Sequence, residues 1–286
     1  MNILICGASG FVGSHLARSL QQAGHQVLRG VRNPRSSHDI HIDYTRDTTP
    51  EAWLPRLKTC SVVINAVGAL RNTPGSPLQK LHDEAPSALF SAAAASGIRH
   101  LVQISALGVG RGLNTPYFST KLHAEARLQG LPASVKWLCL RPSVIFGQGG
   151  SSTRLFLTLA KLPVHMLPAG GKSLLQPVHI DDIAQAVLIW INNEPSSSLT
   201  LDAVGAEATT LAGMLDAYRH QMGFSPALHV SIPALLTRMA ARCGDFIPAS
   251  PLCSDTLNML LLDNTSPADP FTNHLGHLPR SFRQFI

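Results

Sequence analysis

The residues best suited to chemistry stand in the run Tyr117-Phe118-Ser119-Thr120-Lys121. On a helix, positions four apart share a face. An ammonium beside a phenol favours the phenolate and lowers the tyrosine pKa from its ordinary value of about 10. A tyrosine tuned in this way is a general acid or base toward a carbonyl or an alcohol. Lys121 is also placed to hold a nicotinamide ribose. Ser105 ends an apolar run upstream and is expected to hydrogen-bond the reacting oxygen. Tyr-x-x-x-Lys recurs by chance in amphipathic helices with a surface lysine, so its weight comes from the elements that position it.

The first of those elements is the N-terminal stretch. An apolar run, Ile3 to Cys6, meets glycines at Gly7, Gly10 and Gly13. Phe11, Val12, Leu16 and Leu20 follow at helix spacing, Gly24 ends the helix, and a second apolar run begins at Val27. Strand, tight turn, helix and strand open a nucleotide-binding α/β domain. Gly7 lets the chain turn sharply, Gly10 lets backbone approach a pyrophosphate at the positive helix end, and Gly13 lets helix pack on strand. The spacing is G-x-x-G-x-x-G, which departs from G-x-G-x-x-G. Gly7, Ser9, Gly10, Phe11, Val12 and Gly13 form the expected cofactor turn.

The cofactor's identity is read at the end of the second strand, Arg29-Gly30-Val31-Arg32-Asn33. NAD enzymes place a carboxylate there for the ribose hydroxyls. None is present here. A guanidinium binds a 2′-phosphate bidentately, where a carboxylate would repel it. Arg32, helped by Ser9, therefore points to NADP(H); the plainer alternative is a solvated loop arginine. Asp43 is either an acceptor for the adenine amino group or a turn residue.

Strands expected at His41 to Tyr44, Val62 to Val67, Leu101 to Ser105 and Trp137 to Leu140 alternate with helices. Those helices start at Thr49-Pro50-Glu51, at Leu78 (through Ser96) and at Tyr117 (through Leu128). This alternation predicts an α/β fold, a Rossmann-type doubly wound parallel sheet. Ligands bind at the carboxyl ends of such strands. Gly7, Arg32, Gly68, Ser105 and Pro142 all fall there, with Ala66 and Val67 leading into Gly68. Beyond Gly147 the rhythm changes. Helices are expected over Ser151 to Leu162, from Asp181-Asp182 to Ile191, and over Thr210 to Met222, Pro233 to Arg242 and Ser254 to Leu262. A strand falls at Leu199 to Val204, and the final stretch reads as irregular. The expected organisation is a cofactor-binding core at 1–150, completed by about 173–204, and a smaller, mostly helical substrate lobe from 151–172 and 205–286.

The chain has 286 residues and a formal charge of +6, with lysine and arginine scattered and no basic block. That patterning argues against nucleic acid and suits a protein that binds an anionic cofactor. Five cysteines, Cys6, Cys60, Cys139, Cys243 and Cys253, form no C-x-x-C pair. An odd, scattered set points to a reducing compartment and a cytoplasmic location, with Cys6 and Cys139 acting as small hydrophobes in strands. No basic leader or cleavage-site pattern is read at the start. No apolar run approaches the about 20 residues of a membrane helix. Among thirteen histidines the close cluster is His38 and His41 with Asp39 and Asp43. It is polar, lacks H-E-x-x-H logic, and predicts no metal site.

The chain resembles the short-chain dehydrogenase/reductase superfamily in its extended or atypical branch. The resemblance rests on GASGFVG, Asn65-Ala66-Val67-Gly68, Ser105 with Tyr117 and Lys121, LRPSVIFG (Leu140 to Gly147) and QPVHIDDIA (Gln176 to Ala184). It covers Met1 to Ile191. Within the superfamily the wording DTTPEAWLPRL, INAVGALR and SALGVG is similar to bacterial proteins related to the NADPH-binding accessory subunit of respiratory complex I. The resemblance implies hydride transfer at nicotinamide, a C-terminal lobe that selects a small-molecule substrate, and association with a respiratory or membrane complex. It places Pro142 by the nicotinamide, and has Val178, His179 and Asp182 closing the core on the second lobe. A cap of the following helix is the favoured role for Asp182.

One departure stands out. The family's long helix carries an Asn that helps relay protons; here the region reads Leu81-His82-Asp83. Either His82 replaces the Asn or the relay is missing. The leading expectation is an NADP(H)-dependent oxidoreductase acting on a small carbonyl or alcohol. The alternatives are a non-catalytic NADPH-binding assembly factor or redox sensor, and a nucleotide-sugar epimerase or dehydratase. The last needs a carboxylate or other specialised group beside Tyr117, which the sequence does not locate. Substrate contacts are expected from Ala69 to Gly75, Leu107 to Pro116, Ser143 to Thr153 and parts of Pro163 to Gln176, a moderately apolar lining.

Overall fold

A computed structural model describes every residue except 74, 113, 114, 194, 248, 249 and 251. Pro74, Leu113 and Asn114 belong to stretches expected to line the substrate pocket, so that part of the expectation lies outside the described residues.

In chain order the regular elements begin β1 (Asn2–Cys6), α1 (Phe11–Gln22), β2 (Gln26–Val31), β3 (Asp39–His41), α2 (Pro50–Leu57), β4 (Val62–Asn65), α3 (Ala85–Ala95), β5 (His100–Ile104), α4 (Pro116–Gln129) and β6 (Lys136–Pro142). They continue with β7 (Ile145–Phe146), α5 (Ser151–Ala160), β8 (Val164–Pro168), β9 (Leu174–Leu175), β10 (Val178–His179), α6 (Ile180–Asn192) and β11 (Leu199–Ala203). The last are β12 (Thr209–Thr210), α7 (Leu211–Gln221), β13 (Leu228–Ile232), α8 (Ala234–Asp245), α9 (Ser254–Leu260) and α10 (Asp269–Leu275). Packing divides the chain into two compact units, Met1–Arg141 with Ile183–Asp202, and Pro142–Asp182 with Ala203–Ile286.

The first unit is built on a seven-stranded sheet ordered β11-β6-β5-β4-β1-β2-β3. β1 pairs in parallel with both β2 and β4, and β2 with β3, β4 with β5 and β5 with β6 are also parallel. This is the expected Rossmann-type sheet. Ile3, Leu4, Ile5, Val62, Val63, Ile64, Leu101 and Val102 are all buried, as strands covered on both faces require. Trp53, Leu89, Phe90 and Leu128 pack in one core cluster with Leu4, Val63 and Leu101. The strand order reverses between β1 and β4, and ligands of open α/β sheets bind at such a point.

Two elements differ from expectation. The third strand ends at His41 instead of running to Tyr44. Ile42 N still donates to Val31 O at 3.0 Å. Asp43 then turns the chain: its carboxylate accepts from Thr45 N at 3.0 Å and Thr45 Oγ1 at 2.7 Å, and its carbonyl accepts from Asp47 N at 2.7 Å. The helix expected over Leu78 to Ser96 is interrupted by a π-helical turn, Lys80–Glu84, before α3. Pro86 supplies the reason. It has no N–H for the carbonyl of His82, and its ring crowds that carbonyl, so the helix widens there.

The second unit is not purely helical. It holds three two-stranded pairs, β10 with β7, β12 with β9 and β13 with β8. Phe146, Leu167, Leu211, Met214, Leu215, Tyr218 and Phe282 form its core. The final stretch, expected to be irregular, contains α10. Its proline in the first turn and a left-handed Gly276 (φ 76°) just past its end are ordinary helix punctuation. No helix among the described residues is long and apolar enough to cross a membrane.

Candidate active site and dinucleotide cleft

The turn between β1 and α1 is as tight as backbone allows. Gly7 has φ +82°, and a Cβ there would lie 3.0 Å from Ala66 O and from Val67 Cγ2. A Cβ on Gly13 would lie 2.2 Å from Gly7 O, so only glycine lets α1 seat on the turn. Gly10 caps α1 without a side chain. The first-turn N–H groups therefore keep the partial positive charge of a helix N-terminus, with no side chain to neutralise it.

A cleft of about 190 Å³ opens beside this turn. Gly7, Ser9, Gly10, Gly30, Val31, Arg32, Asp43, Ala66, Val67 and Gly68 line it. They come from the carboxyl ends of β1, β2 and β4 and from the turn after β3. Eight of the residues predicted to bind cofactor thus meet in one place: Gly7, Ser9, Gly10, Arg32, Asp43, Ala66, Val67 and Gly68. Phe11, Val12 and Gly13 form the first turn of α1. Tyr117, Lys121 and Pro142 do not line this cleft; Pro142 ends β6. A wider, shallower depression over Thr48, Glu84 and Arg127 gathers none of the predicted residues.

Charge in the cleft is distributed unequally. Arg29 pairs with Asp39 at 3.7 Å and Arg46 with Asp43 at 3.6 Å. Arg32 is exposed and has no carboxylate partner among the described residues. Asp43 is held below the usual carboxylate range, chiefly by its hydrogen bond from the Thr45 hydroxyl. Its side chain does the work of a turn residue while lining the cleft. Beneath the cleft floor, Asn65 accepts from Tyr44 Oη at 2.8 Å and from Val67 N at 3.1 Å, and donates to Gln103 at 2.8 Å. The signal for this buried network is an amide ending the otherwise apolar run Val62-Val63-Ile64.

Tyr117 and Lys121 share the inner face of α4, which Thr115 caps by accepting from Phe118 N. Lys121 Nζ lies 5.5 Å from the Tyr117 ring centroid and donates to Ile104 O at 3.3 Å. Both side chains are buried. Burial pushes Lys121 down to about 8 and pushes Tyr117 up. The expected lowering of Tyr117 is therefore not what this geometry gives. The ammonium sits over the ring and not at the hydroxyl, and desolvation of the phenolate wins. The Tyr117 hydroxyl has no hydrogen-bond partner among the described residues.

His82 packs edge-on against Tyr117, with ring centroids 5.4 Å apart. Ala69 N donates to its Nε2 at 3.1 Å. Its Nδ1 lies 3.3 Å from Thr120 Oγ1, whose own proton goes to Pro116 O at 2.7 Å. This pattern assigns the Nδ1–H tautomer. Burial, reinforced by Lys121, pushes the imidazole down to about 2, so it stays neutral. Ser105 donates its hydroxyl proton to Glu125, which also pairs with Arg141. Neither Glu125 nor Arg141 was singled out from sequence. The available signal was spacing, since Tyr117, Lys121 and Glu125 are four apart and fall on one face.

Val178, His179 and Asp182 lie in the second unit. Asp182 does not cap α6. It accepts from Arg280 N at 3.0 Å, and the His179 ring accepts from Asp181 N at 3.2 Å.

A family model described as the NAD dependent epimerase/dehydratase family matches residues 3–199, well over half of the chain. The chain belongs to this family. Its fold is that of the extended short-chain dehydrogenase/reductases. Among curated proteins it is 27% identical over 243 residues to a ceramide reductase of Caulobacter vibrioides, covering 82% of this chain and 75% of the relative. It is 25% identical over 261 residues to a mitochondrial NADH dehydrogenase [ubiquinone] 1 alpha subcomplex subunit 9 of Arabidopsis thaliana, covering 85% of this chain and 63% of the relative. Among solved structures, a human epimerase family protein with NADPH superposes with a TM-score of 0.73 at 16% identity, covering 100% of this chain and 96% of that one. A nicotinamide dinucleotide is thus the cofactor class of this fold.

Proposed function

We propose that this family member is an NADP(H)-dependent oxidoreductase that reduces a small carbonyl compound. The observation that carries the cofactor choice is Arg32, an arginine at the end of β2 that has no carboxylate partner among the described residues while Arg29 and Arg46 are paired. The NADPH in the human structural neighbour is consistent with it. Gly7, Ser9, Gly10 and the open N-terminus of α1 would hold the pyrophosphate, Arg32 the 2′-phosphate, and Lys121 the nicotinamide ribose. Bound there, the nicotinamide supplies the hydride.

The chain's own residues favour the reductive direction. Tyr117, pushed up by burial, keeps its proton at neutral pH and is ready to give it to a carbonyl oxygen. Lys121, at about 8, is mostly charged there and offsets the negative charge that grows on that oxygen. A second reading has its own observation. Ser105 has one hydroxyl proton and gives it to Glu125, so it has none to offer a substrate oxygen. That supports a protein which keeps its cofactor without turning it over, and the likeness to a complex I subunit supports a place in a respiratory assembly for such a protein.

The two separate on a panel of small aldehydes and ketones, with NADPH oxidation followed by absorbance. The expected result is oxidation that falls about 10²- to 10⁴-fold in Tyr117→Phe. Tight NADPH binding with no oxidation on any member of the panel, unchanged in Tyr117→Phe, would overturn the reductase and leave the cofactor-keeping reading.

A further inference from the structure

A cluster far along the chain from the predicted site carries its own chemistry. β8 and β13 pair in parallel with His165 opposite His229. Their rings stack 5.5 Å apart at 19°. α7 sets Asp216 beside both: its Oδ1 lies 2.9 Å from His229 Nε2 and 3.5 Å from His165 Nδ1. One donor atom from each of the three lies within 4.8 Å of the others.

The His165 side chain has no exposure, and among the described residues neither of its ring nitrogens has a hydrogen-bond partner. Leaving a buried polar group unsatisfied is destabilising, so such a group in a native fold calls for a partner. Buried His82 shows the ordinary arrangement, with both nitrogens engaged. Asp216 and His229 are instead 45% and 39% exposed, so solvent reaches the other side of the cluster. His165 is fully sealed and points at two solvent-facing donors.

We propose that His165, Asp216 and His229 bind one divalent transition-metal ion of the zinc class, with its fourth position open to water. Two neutral imidazoles and a carboxylate suit Zn²⁺, whereas Ca²⁺ and Mg²⁺ take oxygen sets. Bonds of about 2.0–2.2 Å at tetrahedral angles put donor atoms about 3.3 Å apart. The two spacings to Asp216 bracket that distance. The ion satisfies one idle nitrogen of His165 and ties β8, β13 and α7 together. The chain order hides the site, because two strands and a helix each contribute one ligand with no H-x-H or H-E-x-x-H spacing.

The test uses the untagged full-length chain, stripped with EDTA and titrated with ZnCl₂ against a chromophoric chelator, with bound zinc counted by mass spectrometry. The expected result is one zinc per chain and a rise in Tm on loading. Asp216→Asn and His229→Ala, both at exposed side chains, should each weaken binding at least about tenfold, since even the loss of a group that only orients a ligand costs that much. His41→Ala, in the other histidine cluster, should leave it unchanged. A stripped chain that takes up no zinc, or wild-type affinity in both ligand variants, overturns the site and leaves a histidine–carboxylate ion pair only.

Discussion

Two polar regions of the first unit are finished to different degrees. At the glycine turn, charge is left unanswered. The α1 N-terminus has a cap without a side chain, and Arg32 has no acidic partner among the described residues. Around Tyr117, most groups are already spoken for: Ser105 by Glu125, Glu125 by Arg141, His82 by Ala69 and Thr120, and Lys121 by Ile104 O. Among the described residues the Tyr117 hydroxyl is left over. Groups that hold a fold together are paired inside it, whereas groups that wait for a ligand are not. By this criterion the glycine cleft has the character of a surface left open for a ligand, and the Tyr117 region that of a rigid support with one buried, unpaired hydroxyl.

The sharpest way to break this comparison is to remove the support. Glu125 is buried and engages both Ser105 and Arg141. Glu125→Ala leaves the guanidinium without its partner, and losing one member of such a pair costs about 3–5 kcal/mol. Chemical denaturation should show a loss near the lower figure, since Arg141 is partly exposed. NADPH affinity of the folded fraction should hold. A loss under about 1 kcal/mol would put the pair in the class of surface salt bridges and remove the distinction.

How legible each region was follows the same line. The glycine turn was readable because its constraints are local. Gly7, Gly10 and Gly13 act through backbone geometry within a few residues, and the parallel sheet, though not its strand order, followed from strand–helix alternation. Arg32 was readable as a missing carboxylate at a fixed place in the motif. The Tyr117 region was readable by residue type but not by partner. Whether Lys121 faces the Tyr117 hydroxyl or its ring depends on side-chain packing, and Ser105's commitment to Glu125 joins residues on a strand and a helix. The short strands of the second unit escaped because two-residue pairs leave no periodicity. β13 was missed although Leu228, Val230 and Ile232 alternate, because its partner β8 is remote in sequence.

The cleft half of the comparison is tested at its unpaired charge. Arg32→Ala removes charge-assisted hydrogen bonds to a 2′-phosphate, and such bonds to charged groups contribute about 1.5–3 kcal/mol. NADPH affinity should fall roughly 10- to 100-fold, measured by calorimetry at fixed salt, while NADH affinity barely moves. Equal weakening of both dinucleotides would make Arg32 a general electrostatic contributor and would end its role as the reader of the phosphate.

The smallest effect is expected at Lys121, and its sign is the informative part. In the fold, burial brings this amine from an ordinary 10.5 to about 8. Below pH 8 the folded protein carries a buried charge that the unfolded chain would rather hydrate. Between pH 8 and 10.5 unfolding takes up a proton, so wild-type stability rises with pH across that window. Lys121→Met keeps the length, removes the charge and gives up one hydrogen bond to Ile104 O. The net expected gain at pH 7 is about 1–2 kcal/mol, once the lost bond is set against the relieved burial. That gain should shrink as pH climbs from 8 to 10.5, and NADPH turnover should be lost throughout. A variant that is less stable at pH 7, or a gain that does not change with pH, would mean that Lys121 is one more structural partner in the support. A variant that is more stable and inactive would mean that the fold keeps this lysine against its own stability, for the sake of what it binds.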